Sequence, residues 1–308
     1  MNKSTFINPL NFQLEKAKGT VYINDARKGM REIADRSVHL VVTSPPYPMI
    51  QIWDRQFREL DPNIEQIWRA LERTPDDIAK EAKVSEIYAL MHKNLNSVWF
   101  AIYNKLIDGG IACINIGDAT RRINGTFRLF PNHAKIVESC ERIGFMPLPF
   151  IIWRKPINKP SYNGKGAFLG SGMLPPNAYV GLDSEFILLF RKGKPRKFER
   201  FDKMRYASKY TKQERNEWFT QIWEGINGVR QHNPNGRRVG AFPDAVPTRL
   251  IKMFSVIGDT VLDPYMGTGT TLRVALALGR NAVGYELDYG FAQIIKRNLP
   301  SQPRSHQG

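Results

Sequence analysis

The feature that most constrains this chain is a recurring run of short, continuously apolar segments rich in β-branched residues, of which Val38-His39-Leu40-Val41-Val42 is the clearest. A strand with one wet face alternates apolar and polar residues, whereas an unbroken apolar strand is covered on both faces. Comparable runs at residues 20–24, 38–43, 111–116, 149–153, 186–190, 260–262 and 282–285 predict seven strands. Helical patterns fall between them. Over residues 85–106, Ile87, Met91, Leu95, Val98, Ile102 and Leu106 recur at three or four positions, and Asp108-Gly109-Gly110 is expected to stop that helix. Residues 271–278, rich in Leu and Ala, predict another that ends at Gly279. Strands alternating with helices imply an α/β fold with an open, mainly parallel sheet, and 308 residues suffice for one large domain with a modest insertion.

Two stretches break the alternation: residues 56–83, charged and helical in pattern, and residues 158–235, rich in Gly, Pro, Lys and Arg. The second includes Asn163-Gly164-Lys165-Gly166 and Gly170-Ser171-Gly172. The expected organisation is a catalytic part over residues 1–157 with a helical insertion near 56–83, a basic recognition insertion over 158–235, and a ligand-binding part over 236–308.

Charge points to a partner. Lys and Arg number 45 against 29 Asp and Glu, a net +16. That excess suits a polyanion, because bound cations release the counterions condensed on a phosphate backbone. Residues 191–215 hold eleven Lys or Arg and three acids, with Phe198, Phe201, Tyr206 and Tyr210 interleaved. Such a segment can stack on bases while its cations hold phosphates; the alternative is a solvated surface whose aromatics pack beneath it. No apolar run approaches the ~20 residues of a membrane span and the N-terminus is polar, so a cytoplasmic protein without a membrane partner is expected. Cys113 and Cys140 have no Cys or His neighbours at ligand spacing, which predicts buried thiols and no metal site. The five histidines show no ligand or triad spacing either.

Two motifs carry chemistry. Thr43-Ser44-Pro45-Pro46-Tyr47 directly follows the buried strand over residues 38–42. Paired prolines fix φ and lack N–H groups, so they hold one extended turn with carbonyls free for a ligand. Ser44 adds a hydroxyl and Tyr47 a flat ring. This set suits a weakly nucleophilic ring amine: a serine oxygen and a backbone carbonyl accepting its two N–H bonds would draw the nitrogen toward tetrahedral geometry. An aromatic face would stack on the base, returning ~1–3 kcal/mol against the few kcal/mol that extrusion from a duplex costs. A rigid strand-end turn is the bland alternative.

The second motif, Asp263-Pro264-Tyr265-Met266-Gly267-Thr268-Gly269-Thr270, joins a buried strand to a helix through a glycine turn. Glycines there let a ligand approach the backbone closely. Glu286 follows Asp263 by 23 positions (286 − 263), about where nucleotide-binding α/β units place a ribose-binding acid. A phosphate-binding loop would need Gly-Lys-Ser/Thr, and a dinucleotide loop a third glycine near Leu272; neither is present. Asp263 at the strand end better suits a cofactor bearing an ammonium and a sulfonium than one bearing pyrophosphate.

In that order, the two motifs resemble the β class of S-adenosylmethionine-dependent DNA amino-methyltransferases of restriction–modification systems, where the Pro-Pro-Tyr motif precedes the glycine motif and a target-recognition region lies between. Asn24-Asp25, Gly109-Gly110 through Cys113-Ile114-Asn115-Ile116-Gly117-Asp118, Ile152-Trp153-Arg154-Lys155, and Ala241-Phe242-Pro243-Asp244 through Arg249-Leu250-Ile251 resemble further family segments. About two thirds of the chain is covered, with a poor match at residues 232–240.

The resemblance implies a methyltransferase (Rossmann-like), mostly parallel seven-stranded sheet, S-adenosyl-L-methionine as cofactor without a metal, and double-stranded DNA as partner. It allows a companion restriction endonuclease and a homodimer. Asp263, Pro264, Tyr265, Gly267, Gly269 and Thr270 would form the methionine side of the cofactor site, with Glu286 on the ribose and Asp25 on the adenine. Ser44 and Pro45 would bind the target amine, Pro46 would complete the catalytic turn, and Tyr47 would stack on the base. Arg154, Lys155, Lys203, Arg205 and Lys209 would contact DNA. Family members with Ser before Pro-Pro-Tyr mostly act on cytosine N4 and those with Asp on adenine N6, so Ser44 favours cytosine. Adenine N6, and a silent nucleic-acid-binding protein on the same scaffold, are the alternatives. A ring-carbon methyltransferase needs a cysteine nucleophile, and no Pro-Cys pair occurs.

Overall fold

A computed structural model describes residues 9–155, 176, 180–229, 231–232, 238–240 and 242–299. In chain order the strands are β1 (Leu10–Leu14), β2 (Ala17–Ile23), β3 (Val38–Thr43), β4 (Leu106–Ile116), β5 (Ala119–Ile123), β6 (Thr126–Phe130), β7 (Phe145–Arg154), β8 (Ser184–Lys192), β9 (Ile222–Trp223), β10 (Gln231–His232), β11 (Arg238–Val239), β12 (Thr260–Asp263) and β13 (Asn281–Glu286). The α-helices are α1 (Gln51–Leu60), α2 (Pro62–Glu72), α3 (Asp77–Lys105), α4 (Asn132–Ile143), α5 (Lys203–Ala207), α6 (Lys212–Trp218), α7 (Ala245–Phe254), α8 (Thr270–Ala277) and α9 (Phe291–Asn298). All seven strands expected from the sequence overlap strands of one large sheet.

That sheet has nine strands in the order β1-β2-β13-β12-β3-β4-β8-β7-β9. From β2 to β4 neighbouring strands are parallel, and β8 runs antiparallel between β4 and β7. The expected count of seven is exceeded because each edge gains a strand. The amphipathic β1 folds back on β2, and the two-residue β9 pairs with Ile152 and Trp153. A two-residue strand has no periodicity to read.

Residues next to each other in β3 are buried on opposite faces, which accounts for its unbroken apolar run. Val41 packs with α3 and α4 through Val98, Ile102 and Ile136, whereas Leu40 and Val42 pack with α7 and α8 through Val246, Leu250 and Leu272. Helix α3 starts eight residues before the periodic stretch, because Asp76 caps it by accepting from the Ala79 N–H. The glycines over 108–110 do not stop α3, which passes at Leu106 directly into β4. Gly109 instead lies where the β3–β4 register shifts, with φ +79°. A Cβ there would stand 2.6 Å from the Arg196 backbone nitrogen. The glycine serves close passage of another chain segment, and local spacing could not reveal that.

Strand connectivity reverses between β3 and β12: β12 leads to β13 on one side, and β3 leads to β4 on the other. In open α/β sheets this is where a crevice opens beyond the carboxyl ends. Both chemical motifs leave the sheet there. Among the described residues no helix is long and apolar enough to cross a membrane.

Candidate active site

Thr43, the last residue of β3, and Asp263, the last of β12, are joined by a hydrogen bond of 2.7 Å from Thr43 Oγ1 to Asp263 Oδ1. The Tyr265 N–H also donates to Asp263, at 3.0 Å. Asp263 is 3% exposed, and burial pushes its carboxyl up to about 6 although these donors pull the other way. It stands behind the glycine turn, where it fixes the turn's start and ties the two motifs together.

The turn itself faces a cavity of about 610 Å³. Gly267 (φ +54°) and Gly269 (φ +85°) carry the chain from β12 into α8. The Gly267 N–H donates to Glu286 Oε2 at 2.8 Å, and the Asp288 N–H donates to Oε1 at the same distance. Burial pushes the Glu286 carboxyl up to about 7. Just past the end of β2, the strand beside β13, Asp25 accepts from the Arg27 backbone N–H and from its guanidinium, the shortest contact being 2.7 Å. Burial raises the Asp25 carboxyl, but Arg27 outweighs it and holds the group below its ordinary range. Arg27 also donates to Asn94 Oδ1 on α3 at 2.7 Å, anchoring this wall to the helix layer. Helix α1 completes the enclosure with Trp53, Phe57 and Leu60.

Of the residues expected from the sequence, Asp25, Ser44, Pro46, Pro264, Tyr265, Gly267 and Glu286 line this one cavity. Pro45, Asp263, Gly269 and Thr270 belong to the same turns but are not on its wall. Tyr47 is 8% exposed and also lies off the wall. Its hydroxyl is within 3.1 Å of Ser44 Oγ, donates to Glu185 Oε2 at 2.9 Å, and accepts from Asn115 Nδ2 at 2.8 Å. Burial, with the Glu185 charge adding to it, raises the Tyr47 phenol well above its ordinary value. Sequence reasoning assigned no role to Arg27, Trp53, Asn94, Asn115 or Glu185. Asn94 lay within the helix expected over 85–106 and Asn115 within a segment that resembles the family, but nothing local marked either as part of the site.

The basic residues divide. Arg154 and Lys155 end β7 at the carboxyl side of the sheet, where Arg154 pairs with Glu224 at 2.7 Å and Lys155 with Glu185. Lys203, Arg205 and Lys209 stand at the opposite end. Because β8 is antiparallel, its last residues pair with the start of the adjacent strands: Arg191 lies beside Ile111 and Met146. Just beyond, Arg196 pairs with Asp259 at the foot of β12, and the Ile257 N–H donates to Ser208 Oγ at 2.8 Å. The guanidinium groups of Arg196 and Arg205 lie over Phe198, 4.7 and 5.0 Å from its centroid. Most of the insertion's first part, including 163–166 and 170–172, lies outside the described residues, as do 233–237 and Ala241. Cys113 and Cys140 are buried, and burial raises both thiols.

A DNA methylase family model of the N6/N4 type matches residues 38–297. The chain belongs to the N6/N4 DNA methylase family. It is 57% identical over 279 residues to the Type II methyltransferase M.MjaI of Methanocaldococcus jannaschii, covering 91% of this chain and 90% of that protein. It is 46% identical to the Type II methyltransferase M.MthZI of Methanothermobacter thermautotrophicus, over 88% of this chain and 73% of that one. The fold also matches TTHA0409 of Thermus thermophilus, assigned as a DNA modification methylase and solved with S-adenosyl-L-methionine, at a TM-score of 0.67. That match has 31% identity and covers 91% of this chain and 94% of the other. In this DNA methylase, then, the Thr43–Asp263 bond joins the Ser-Pro-Pro-Tyr strand to the glycine-turn strand. Thr43→Val should lower stability by about 1.5–3 kcal/mol, the worth of a buried hydrogen bond to a charged group. An unchanged urea midpoint would show that the bond does not hold the two strands together.

Proposed function

We propose that this DNA methylase transfers the methyl group of S-adenosyl-L-methionine to the exocyclic N4 amine of a cytosine flipped out of double-stranded DNA, as the modification enzyme of a restriction–modification system. The observation that carries the reading is the shared cavity: Ser44 and Pro46 of one motif and Gly267 and Glu286 of the other line the same 610 Å³ space. Its size falls within the range of small-molecule sites. The donor set fits the cofactor: Glu286 offers a carboxylate to ribose hydroxyls, Asp25 retains acceptor capacity for an adenine amine, and Phe291 and Leu287 supply apolar wall. Asp263 would act by fixing the turn, rather than by touching the ligand.

S-adenosylmethionine supplies, when bound, a methyl group on a sulfonium electrophile. The protein's task is to present the amine. Ser44 Oγ and the Pro45 carbonyl accept its two N–H bonds, drawing the lone pair out of ring conjugation and aiming it across the cavity. Held in this way, the nitrogen would receive that methyl group with S-adenosyl-L-homocysteine leaving as the thioether, and its surplus proton would pass to water. Tyr47 packs against the base once it enters. Arg154 and Lys155 stand at the same end of the sheet as the two motifs and would meet the DNA beside the flipped base. Lys203, Arg205 and Lys209 would meet the duplex only away from it. Ser44 before Pro-Pro-Tyr supports cytosine over adenine.

Incubation with methyl-labelled S-adenosylmethionine and unmethylated duplex DNA, followed by nucleoside mass spectrometry, should give labelled N4-methylcytosine. Labelled N6-methyladenine would overturn the choice of base, and no labelled nucleoside would overturn the function. The raised Glu286 carboxyl adds a pH dependence. Ribose hydroxyls need the carboxylate, so cofactor binding releases the proton that Glu286 holds below about 7. Calorimetry should find affinity rising between about pH 6 and about pH 8 and then levelling, with Glu286→Gln weak and flat across that range. A wild-type affinity independent of pH would take Glu286 off the ribose.

A further inference from the structure

We infer that Glu185 is a positioning residue for the catalytic turn: through the Tyr47 hydroxyl it sets the direction of the hydrogen bonds that leave Ser44 Oγ able to accept from the target amine. The inference rests on the function proposed above. It is carried by geometry. Glu185 receives three donors, namely Tyr47 through its hydroxyl at 2.9 Å, Asn115 through Nδ2 at 2.7 Å, and the Lys155 ammonium. A carboxylate so placed accepts and cannot donate.

The rest follows from counting protons. The Tyr47 hydroxyl has one proton, and Glu185 takes it. The Asn115 amide is oriented by the same carboxylate, so its Nδ2 donates to the Tyr47 oxygen. Ser44 Oγ lies 3.1 Å from that oxygen and can be joined to it only as donor. The single proton of Ser44 is thereby directed at Tyr47, and its lone pairs remain for an N–H donor. Reversing the chain would turn the Ser44 proton toward the amine and set donor against donor. Two further observations show that the arrangement is built. Among the described residues Asn115 Oδ1 is buried without a partner, so its amide is held for what Nδ2 does. Gly117 leaves room for the tyrosine, since a Cβ there would stand 3.0 Å from Tyr47 Cε2.

The device also joins distant parts of the chain. Lys155 and Glu185 flank residues 156–184, which include the first part of the recognition insertion expected over 158–235, and the Lys155 N–H donates to the Asp183 carbonyl at 2.8 Å. The base of the segment assigned to target recognition is the same structure that orients the catalytic serine.

Two readouts test this. In protein labelled with 3-fluorotyrosine, the Tyr47 fluorine line is identified by its loss in Tyr47→Phe. Glu185→Gln should shift that line, and an unmoved line overturns the inference whether or not the protein methylates anything. In turnover, Glu185→Gln should cost roughly tenfold to a hundredfold, the range for losing a charge-assisted hydrogen bond, with cofactor and DNA dissociation constants within about twofold of wild type. Glu185→Asp, which keeps the carboxylate, should recover part of the loss. Tyr47→Phe should lose about as much as Glu185→Gln, and the double variant no more than either, as expected of groups acting in one chain. Multiplying effects, or equal turnover in the Gln and Asp variants, would overturn the positioning role. Should Glu185→Gln fail to fold, Glu185→Asp still has to move the fluorine line. A wild-type protein that transfers no methyl to DNA would defeat the proposed function while the fluorine line still decides the geometry.

Discussion

The buried hydrogen bond from Thr43 to Asp263 is the contact on which the site depends. Each residue ends a parallel strand, 220 positions apart in sequence (263 − 43), and each opens one of the two motifs. The backbones of β3 and β12 pair as far as Val41 and Leu262, and this bond carries the link past that pairing to the strand ends. With it, the proline turn and the glycine turn share one rigid frame, and the carboxylate that burial disfavours has its donors.

Around that frame the polar groups are arranged in two sets that do not mix. On the side proposed for the cofactor, Glu286 accepts a backbone N–H group from the glycine turn, and Asp25 is held by Arg27. On the side proposed for the base, Glu185 gathers Tyr47, Asn115 and Lys155. Each set places a carboxylate among donors supplied by different elements, so each fixes backbone and side-chain positions before a ligand arrives. Such preorganisation matters most where the reacting nitrogen is a poor nucleophile and alignment supplies much of the rate.

The parts legible in the sequence were those governed by local rules. Unbroken apolar runs identified seven strands, and a Pro-Pro turn and a Gly turn at strand ends identified the two motifs. What escaped depends on strand direction and pairing. The cations of residues 191–215 read as one segment with the recognition insertion, yet antiparallel β8 carries them to the far end of the sheet. Glu185 stands 138 positions from Tyr47, and the two meet only because β8 is the strand next to β4. Gly109 resembled a helix stop because the chain segment it accommodates comes from residues 194–196. The acid at position 263 was rightly found at the strand end, but burial turns it inward to Thr43, off the cavity wall.

If one frame brings the methyl donor and the amine acceptor face to face across a single cavity, a crystal structure of the protein with S-adenosyl-L-methionine bound will show it most directly. The ribose is expected at Glu286, the methionine portion along the Gly267 turn, and the sulfonium methyl directed at Ser44 and the Pro45 carbonyl. A cofactor whose methyl faced away from Ser44, or one seated outside the cavity between β3 and β12, would contradict it.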